Sequence, residues 1–155
     1  MTPNPLPISS TLEMRATSAQ VWSVVSDLRR MPEFSPELRK VILLGAPRPG
    51  AGGLGQRLIG INRRGPVAWP TTSTVVRWEP ERAVAWKTKE SGATWVYEIE
   101  PAEAGCRVTA RRVLTAFTTG SKLMTPILGG AIGHDRELAA GLTTTLERIR
   151  EAVEA

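Results

Sequence analysis

The sequence predicts an α+β fold in which a curved seven-stranded antiparallel sheet wraps around one long C-terminal helix, with two short helices inserted after strand 1. Three observations carry this expectation. Runs that alternate apolar and polar residues recur from Ile8 to Phe117, and a period of two marks a strand with one buried face. The breaks between most of these runs are short and rich in glycine and proline, as antiparallel hairpins require. After roughly Gly120 the period changes: Leu138, Leu142, Leu146, Ile149 and Val153 fall three or four apart and draw one stripe along a helix.

The first strand covers Ile8 to Arg15, with Ile8, Ser10, Leu12 and Met14 on one face. In "TSAQVWSVVSDLRRM", Thr17 or Ser18 can cap a short helix whose Val21, Trp22, Val25 and Leu28 stand at helical spacing, and the two prolines of "MPEFSPEL" end the pattern. Asp27 reads as the cap of the second short helix. Two strands, "ELRKVILLG" and "GQRLIGINRR", flank a glycine- and proline-rich loop over residues 46–54 that is placed to act as a lid. The runs "VAWPTTSTVVRWE", "AVAWKT", "ATWVYEIE" and "CRVTARRVLTAF" complete the set. Gly129, Gly130 and Gly133 each weaken the start of the last helix by about 1 kcal/mol relative to alanine, which predicts a kink or a frayed beginning there.

A chain of 155 residues fits one domain spanning 1–155. No apolar run approaches the roughly 18 residues that cross a bilayer, and the start lacks a basic segment followed by an apolar block, so a soluble, cytoplasmic protein without a membrane span is expected. A single cysteine, Cys106, cannot form an internal disulfide, and with one histidine there is no cluster of thiolate and imidazole ligands. Neither a metal nor a cofactor is expected. The net charge is +5, with sixteen arginines against four lysines, but the basic residues come as scattered pairs such as Arg63 with Arg64 and Arg111 with Arg112. That pattern argues for a solvated, arginine-biased surface and against a nucleic-acid arm. The absence of "GxSxG", "GxGxxG" and phosphate-loop motifs sets aside serine hydrolase, dinucleotide-binding and nucleotide-binding readings. The oligomeric state is not readable from these residues.

Only the C-terminal helix has the length and apolar stripe to cover seven strands, so the sheet must curl round it while the short helices close one end. The space left between helix and sheet is a natural site for a small apolar ligand. The element order, the stretch "VWSVVSDLRRMPEFSPELRKV", the strands "STVVRWEPERAVAWKT" and "GATWVYEIEP" with "GCRVT", and the closing "GHDRELAAGLTTTLERIREA" resemble the START/Bet v 1-like (SRPBCC) superfamily, in its bacterial polyketide cyclase/dehydrase and lipid-transport branch. The similarity spans nearly the whole chain. It implies the helix-grip fold and a ligand cavity whose lining differs from member to member, and it implies no universal catalytic triad. The resemblance implies binding or carriage of a small hydrophobic ligand such as a lipid, isoprenoid or polyketide. Its alternatives are a polyketide cyclase/aromatase-type enzyme and a ribosome- or protein-binding relative, because the superfamily holds all three.

His134, four residues before Leu138, lies on the same helical stripe, which turns it towards the sheet. Imidazole is an acid or base near neutral pH, so His134 is a candidate catalyst, while ligand contact and a structural role stay open. Asp135 and Arg136 stand roughly 100° and 200° round the helix from it, too far to form a dyad. In "ATWVYEIE" the inward face carries Ala93, Trp95, Tyr97 and Ile99. Tyr97 is then either a hydroxyl donor to a ligand, and in an enzyme the stabiliser of an oxyanion or enol, or a packed aromatic whose hydroxyl reaches the rim. Trp86 shares the inward parity of Val84, and Leu138, Gly141 and Leu142 present the helix side of the site. Phe34 is expected at the cavity mouth. Trp69 and Trp78 have opposite parity in one strand and can both face inward only if a bulge intervenes. Arg57, Asn62 and Arg64 can anchor a carboxylate or phosphate, or serve as solvated strand groups.

Overall fold

The computed structural model describes residues 8–47, 49–114 and 131–155, without the side chains of residues 131–137. Its elements are β1 (Ile8–Met14), α1 (Ser18–Val25), a 3₁₀ helix (Leu28–Glu33), β2 (Leu38–Leu44), β3 (Arg57–Arg64), β4 (Val67–Glu79), β5 (Ala83–Thr88), β6 (Ala93–Ala102), β7 (Gly105–Leu114) and α2 (Ala131–Glu154). The strands form one antiparallel sheet in the order β1-β7-β6-β5-β4-β3-β2. Hairpins join all neighbours from β2 to β7, and β1 closes the far edge by pairing with β7 from Ile8 opposite Arg112 to Met14 opposite Cys106. This is the helix-grip fold. Among the described residues no helix is long and apolar enough to cross a membrane. The expected kink at Gly129, Gly130 and Gly133 lies outside the described side chains.

Thr17 begins α1 with a reciprocal cap: its hydroxyl accepts from the Gln20 N–H at 3.1 Å, and the Gln20 side chain accepts from the Thr17 N–H at 2.8 Å. Asp27 does occupy the position before the 3₁₀ helix, but its side chain makes no capping bond there. Its backbone carbonyl accepts from the Arg30 N–H at 2.9 Å, and its carboxylate instead stands 3.6 Å from the Arg29 guanidinium.

The stripe of α2 is the centre of the core. Leu146 and Ile149 are fully enclosed, together with Val21 and Val25 of α1 and Cys106 and Val108 of β7. Each such aliphatic side chain contributes about 1.5–3 kcal/mol by leaving water. The helix is also tied at both flanks, by a Ser10 to Thr143 hydroxyl pair at 2.8 Å and by the Arg148 guanidinium donating to the Phe34 carbonyl at 3.3 Å. On the outer face of the sheet Glu98 sits between two arginines, 2.9 Å from Arg111 and 3.3 Å from Arg77, which also binds Glu79.

Strand β4 resolves the tryptophan parity. Its register with β5 shifts between Val75 and Arg77, so that Trp69 and Trp78, nine positions apart in sequence, end on the same inner side. Trp78 packs edge to face on Trp22, with ring centroids 5.0 Å apart. The glycine loop lies on the same indole: a Cβ on Gly53 would meet the Trp78 ring at 2.3 Å, so only glycine allows this approach. Gly55 then donates to the Val75 carbonyl at 2.9 Å, and the Gln56 amide donates to the carbonyls of Leu44, Gly45 and Arg57. Among the described residues of the loop none borders the cavity.

Candidate functional site

Between α2 and the sheet lies a cavity of about 190 Å³. Its origin is the difference in side-chain size along the inner face. Where β1 and β7 meet α2, valine, isoleucine, leucine and methionine close the gap, whereas the inner positions of β3 to β6 include Gly60, Thr71, Ser73, Thr88 and Ala93. On the helix side Gly141 opens the opposing wall, with Pro36 just 3.4 Å from where its Cβ would stand.

The register sets the aromatic wall. Trp95 of β6 pairs with Trp86 of β5, and Tyr97 follows two residues on along the same face. The rings of Trp86 and Tyr97 stack with centroids 5.6 Å apart and an interplanar angle of 18°. Burial pushes the Tyr97 phenol well above its ordinary pKa, because phenolate would lose its hydration there. Tyr97 is therefore a neutral hydrogen-bond donor throughout the physiological range. The polar groups of the wall are held by one another: the Asn62 amide donates to the Thr71 hydroxyl at 3.1 Å, Ser73 and Thr88 share a hydroxyl bond of 2.9 Å, and the Thr145 hydroxyl donates to the Gly141 carbonyl at 2.7 Å. Each hydroxyl retains capacity to accept from a ligand.

Of the residues singled out from the sequence, Trp86, Ala93, Trp95, Tyr97, Leu138, Gly141 and Leu142 all border this cavity. Phe34 does not: it is 3% exposed, inside the core at the end of the 3₁₀ helix, with the Arg30 guanidinium 5.6 Å from its ring centre. The capping turn of that helix draws it inward, and Pro36, Glu37 and Leu38 border the space instead. The His134 side chain lies outside the described residues; its backbone belongs to the first turn of α2. Asn62 borders the cavity, while Arg57 is exposed on the outer parity of β3.

The residue that sequence reasoning passed over is Arg112. Counted among the solvated pairs, it parts from Arg111: Arg111 pairs with Glu98 on the outer face, but Arg112 is 3% exposed and forms part of the cavity wall. The signal was present in "CRVTARRVL", where Cys106, Val108, Ala110, Arg112 and Leu114 share one parity and only Arg112 is polar.

Residues 7–154 match the family described as polyketide cyclase / dehydrase and lipid transport. The chain belongs to that family. That family, part of the START/SRPBCC superfamily, supports hydrophobic ligand binding or polyketide cyclisation at the level of the family. The di-domain ARO/CYC protein StfQ from the steffimycin biosynthetic pathway superposes with a TM-score of 0.73 at 17% identity over 96% of this chain, which spans half of StfQ's length. A START superfamily protein from Mycobacterium smegmatis superposes with a TM-score of 0.73 at 13% identity, over 96% of this chain and 97% of its own. A polyketide-cyclase-like protein from Corynebacterium glutamicum reaches 25% identity with a TM-score of 0.57, over 99% of this chain and 91% of its own. Among curated proteins none matches the sequence.

Proposed function

We propose that this member of the family binds and carries a small, flat, hydrophobic molecule, of lipid, isoprenoid or polyketide type, in the cavity between α2 and the sheet. The observation that supports it is the aromatic wall of Trp69, Trp86, Trp95 and Tyr97 on the sheet, with Leu138, Gly141 and Leu142 of α2 bordering the same cavity. Broad rings on the sheet side offer one face of a flat body a wide apolar contact at little entropic cost, with the aliphatic groups of α2 left for the other face. Ala93 and Gly141 keep the space open, and His134 is a ligand contact at the start of α2. The setting we propose is cytoplasmic, with a small molecule and not a nucleic acid as partner.

Native mass spectrometry of the purified protein, followed by denaturing extraction, tests this. A stoichiometric hydrophobic adduct is expected. Adduct-free protein whose tryptophan fluorescence also stays unchanged during titration with flat aromatic probes would end the reading.

A second reading, a cyclase/aromatase-type enzyme, draws support from the shared fold with StfQ, an ARO/CYC protein. In it His134 takes a proton next to a ketone, and the neutral phenol of Tyr97 donates to the enolate that results. His134→Ala should then abolish turnover of a poly-β-ketone substrate while ligand affinity stays nearly unchanged, and full activity in that variant would remove the reading.

A further inference from the structure

We infer that the molecule taken into this cavity carries a carboxylate and that Arg112 receives it. The inference rests on the carrier reading above and specifies its ligand class. A guanidinium cannot shed its charge in a protein, and enclosing one costs several kcal/mol, so a wall meant for hydrocarbon alone is better built with leucine or methionine. The other inner positions of β7 follow that rule, being Cys106, Val108, Ala110 and Leu114, all buried. At Arg112 the same face carries a fixed positive charge into the cavity wall.

Among the described residues of the wall the only other charged group is Glu37, half-buried on the segment between the 3₁₀ helix and β2. Both Glu37 and Arg112 have interactions of their own within the protein. A guanidinium offers five donors in a planar fork, and a carboxylate takes them two at a time, so a guanidinium that has contacts within the protein can also receive a ligand's carboxylate. Position then gives the ligand an orientation. Arg112 stands directly opposite Trp95, which stands opposite Trp86, across three adjacent strands. At about 4.8 Å per strand, Arg112 and Trp86 are roughly 10 Å apart, the length of a two-ring body with a carboxylate at one end. The acid end thus sits at β7 and the flat body along β6 and β5.

The test compares 2-naphthoate with 2-naphthylmethanol, equal in shape and different in charge, by tryptophan fluorescence titration at neutral pH. A charge-assisted pair is worth about 1.5–3 kcal/mol, so wild-type protein should bind the acid at least about tenfold more tightly than the alcohol. In Arg112→Met the preference should fall to about twofold or less, with the alcohol affinity held within about threefold. Wild-type selectivity alone decides the matter if that variant does not fold: equal affinities overturn the inference and leave the carrier reading standing. An acid preference that persists in Arg112→Met also overturns it, since the general positive charge of the chain would then be its source. Binding of neither probe would overturn the inference, and in protein that also carries no hydrophobic adduct it would overturn the carrier reading with it.

Discussion

The two ends of the same helix-on-sheet layer differ in how their inward positions are filled. At the end where α2 crosses β1 and β7, Leu146 and Ile149 interlock with valines and a cysteine and leave no accessible surface. At the other end Leu138 and Gly141 face Ser73, Thr88, Ala93 and Gly60 across open space. Both ends share one helical stripe, but the inward sheet positions of the hollow end include small and polar residues where the packed end has bulky apolar ones. Side-chain volume makes the space. The cavity is made by withholding bulk at inward positions, and it is kept open by a sheet whose register is fixed elsewhere.

The sharpest way to break this comparison uses the same substitution at both ends of one stripe. Leu146→Ala removes a fully enclosed side chain from a site that cannot collapse, and should cost about 3 kcal/mol. Leu138→Ala removes one that already borders a void and is partly exposed, and should cost about 1 kcal/mol or less. Urea unfolding of both variants measures this directly. Equal losses would mean that the space beside Leu138 is filled in solution and that the two ends are packed alike.

The larger part of the architecture was legible in the sequence because periodicity reports which face of an element is buried. The seven strands and the stripe through Ile149 follow from that, while residue type offers Thr17 or Ser18 as the cap of α1 and the structure uses Thr17. What was not legible depended on events that periodicity averages away. The shift in register at Val76 reconciles Trp69 with Trp78, and nothing in "STVVRW" announces where the extra residue falls. Phe34 turns inward because a 3₁₀ turn, with a pitch different from that of an α-helix, delivers it to the core. Arg112 was hidden by a different error: adjacent arginines look like one surface pair, although neighbours in a strand point to opposite faces.

A smaller effect distinguishes the ends by pH. The chain contains one tyrosine, so Tyr97 alone supplies phenolate absorbance. Its folded pKa is raised by burial, whereas in the unfolded chain it ionises near about 10. Below that pH both states are protonated and Tyr97 contributes nothing to the pH dependence. Above it the unfolded state releases a proton that the folded state retains, so stability falls by about 1.4 kcal/mol per pH unit from this group. Tyr97→Phe should flatten the alkaline limb of the stability curve by that slope, and the burial-raised Cys106 thiol, present in both proteins, cancels in the difference. Parallel limbs would show that water reaches the phenol and that the aromatic wall is open to solvent.

The smallest expected effect on stability is also the most informative about the hollow end. Ala93 is buried on β6 with its side chain on the cavity wall, so Ala93→Leu projects three more carbons into space that the native chain leaves empty. Added bulk in a packed core costs about 1–3 kcal/mol, because neighbours must leave their rotamers. Here the new atoms find room and gain contacts, and the unfolding free energy should stay within about 1 kcal/mol of wild type. The same atoms occupy the ground that a flat ligand needs, so affinity for 2-naphthoate should fall by at least about tenfold, the worth of about 1.4 kcal/mol of lost contact. The two measurements must separate for the comparison to hold. A variant destabilised as much as Leu146→Ala would place Ala93 in a packed region, and a stable variant with unchanged affinity would move the ligand away from β6 and towards another part of the wall.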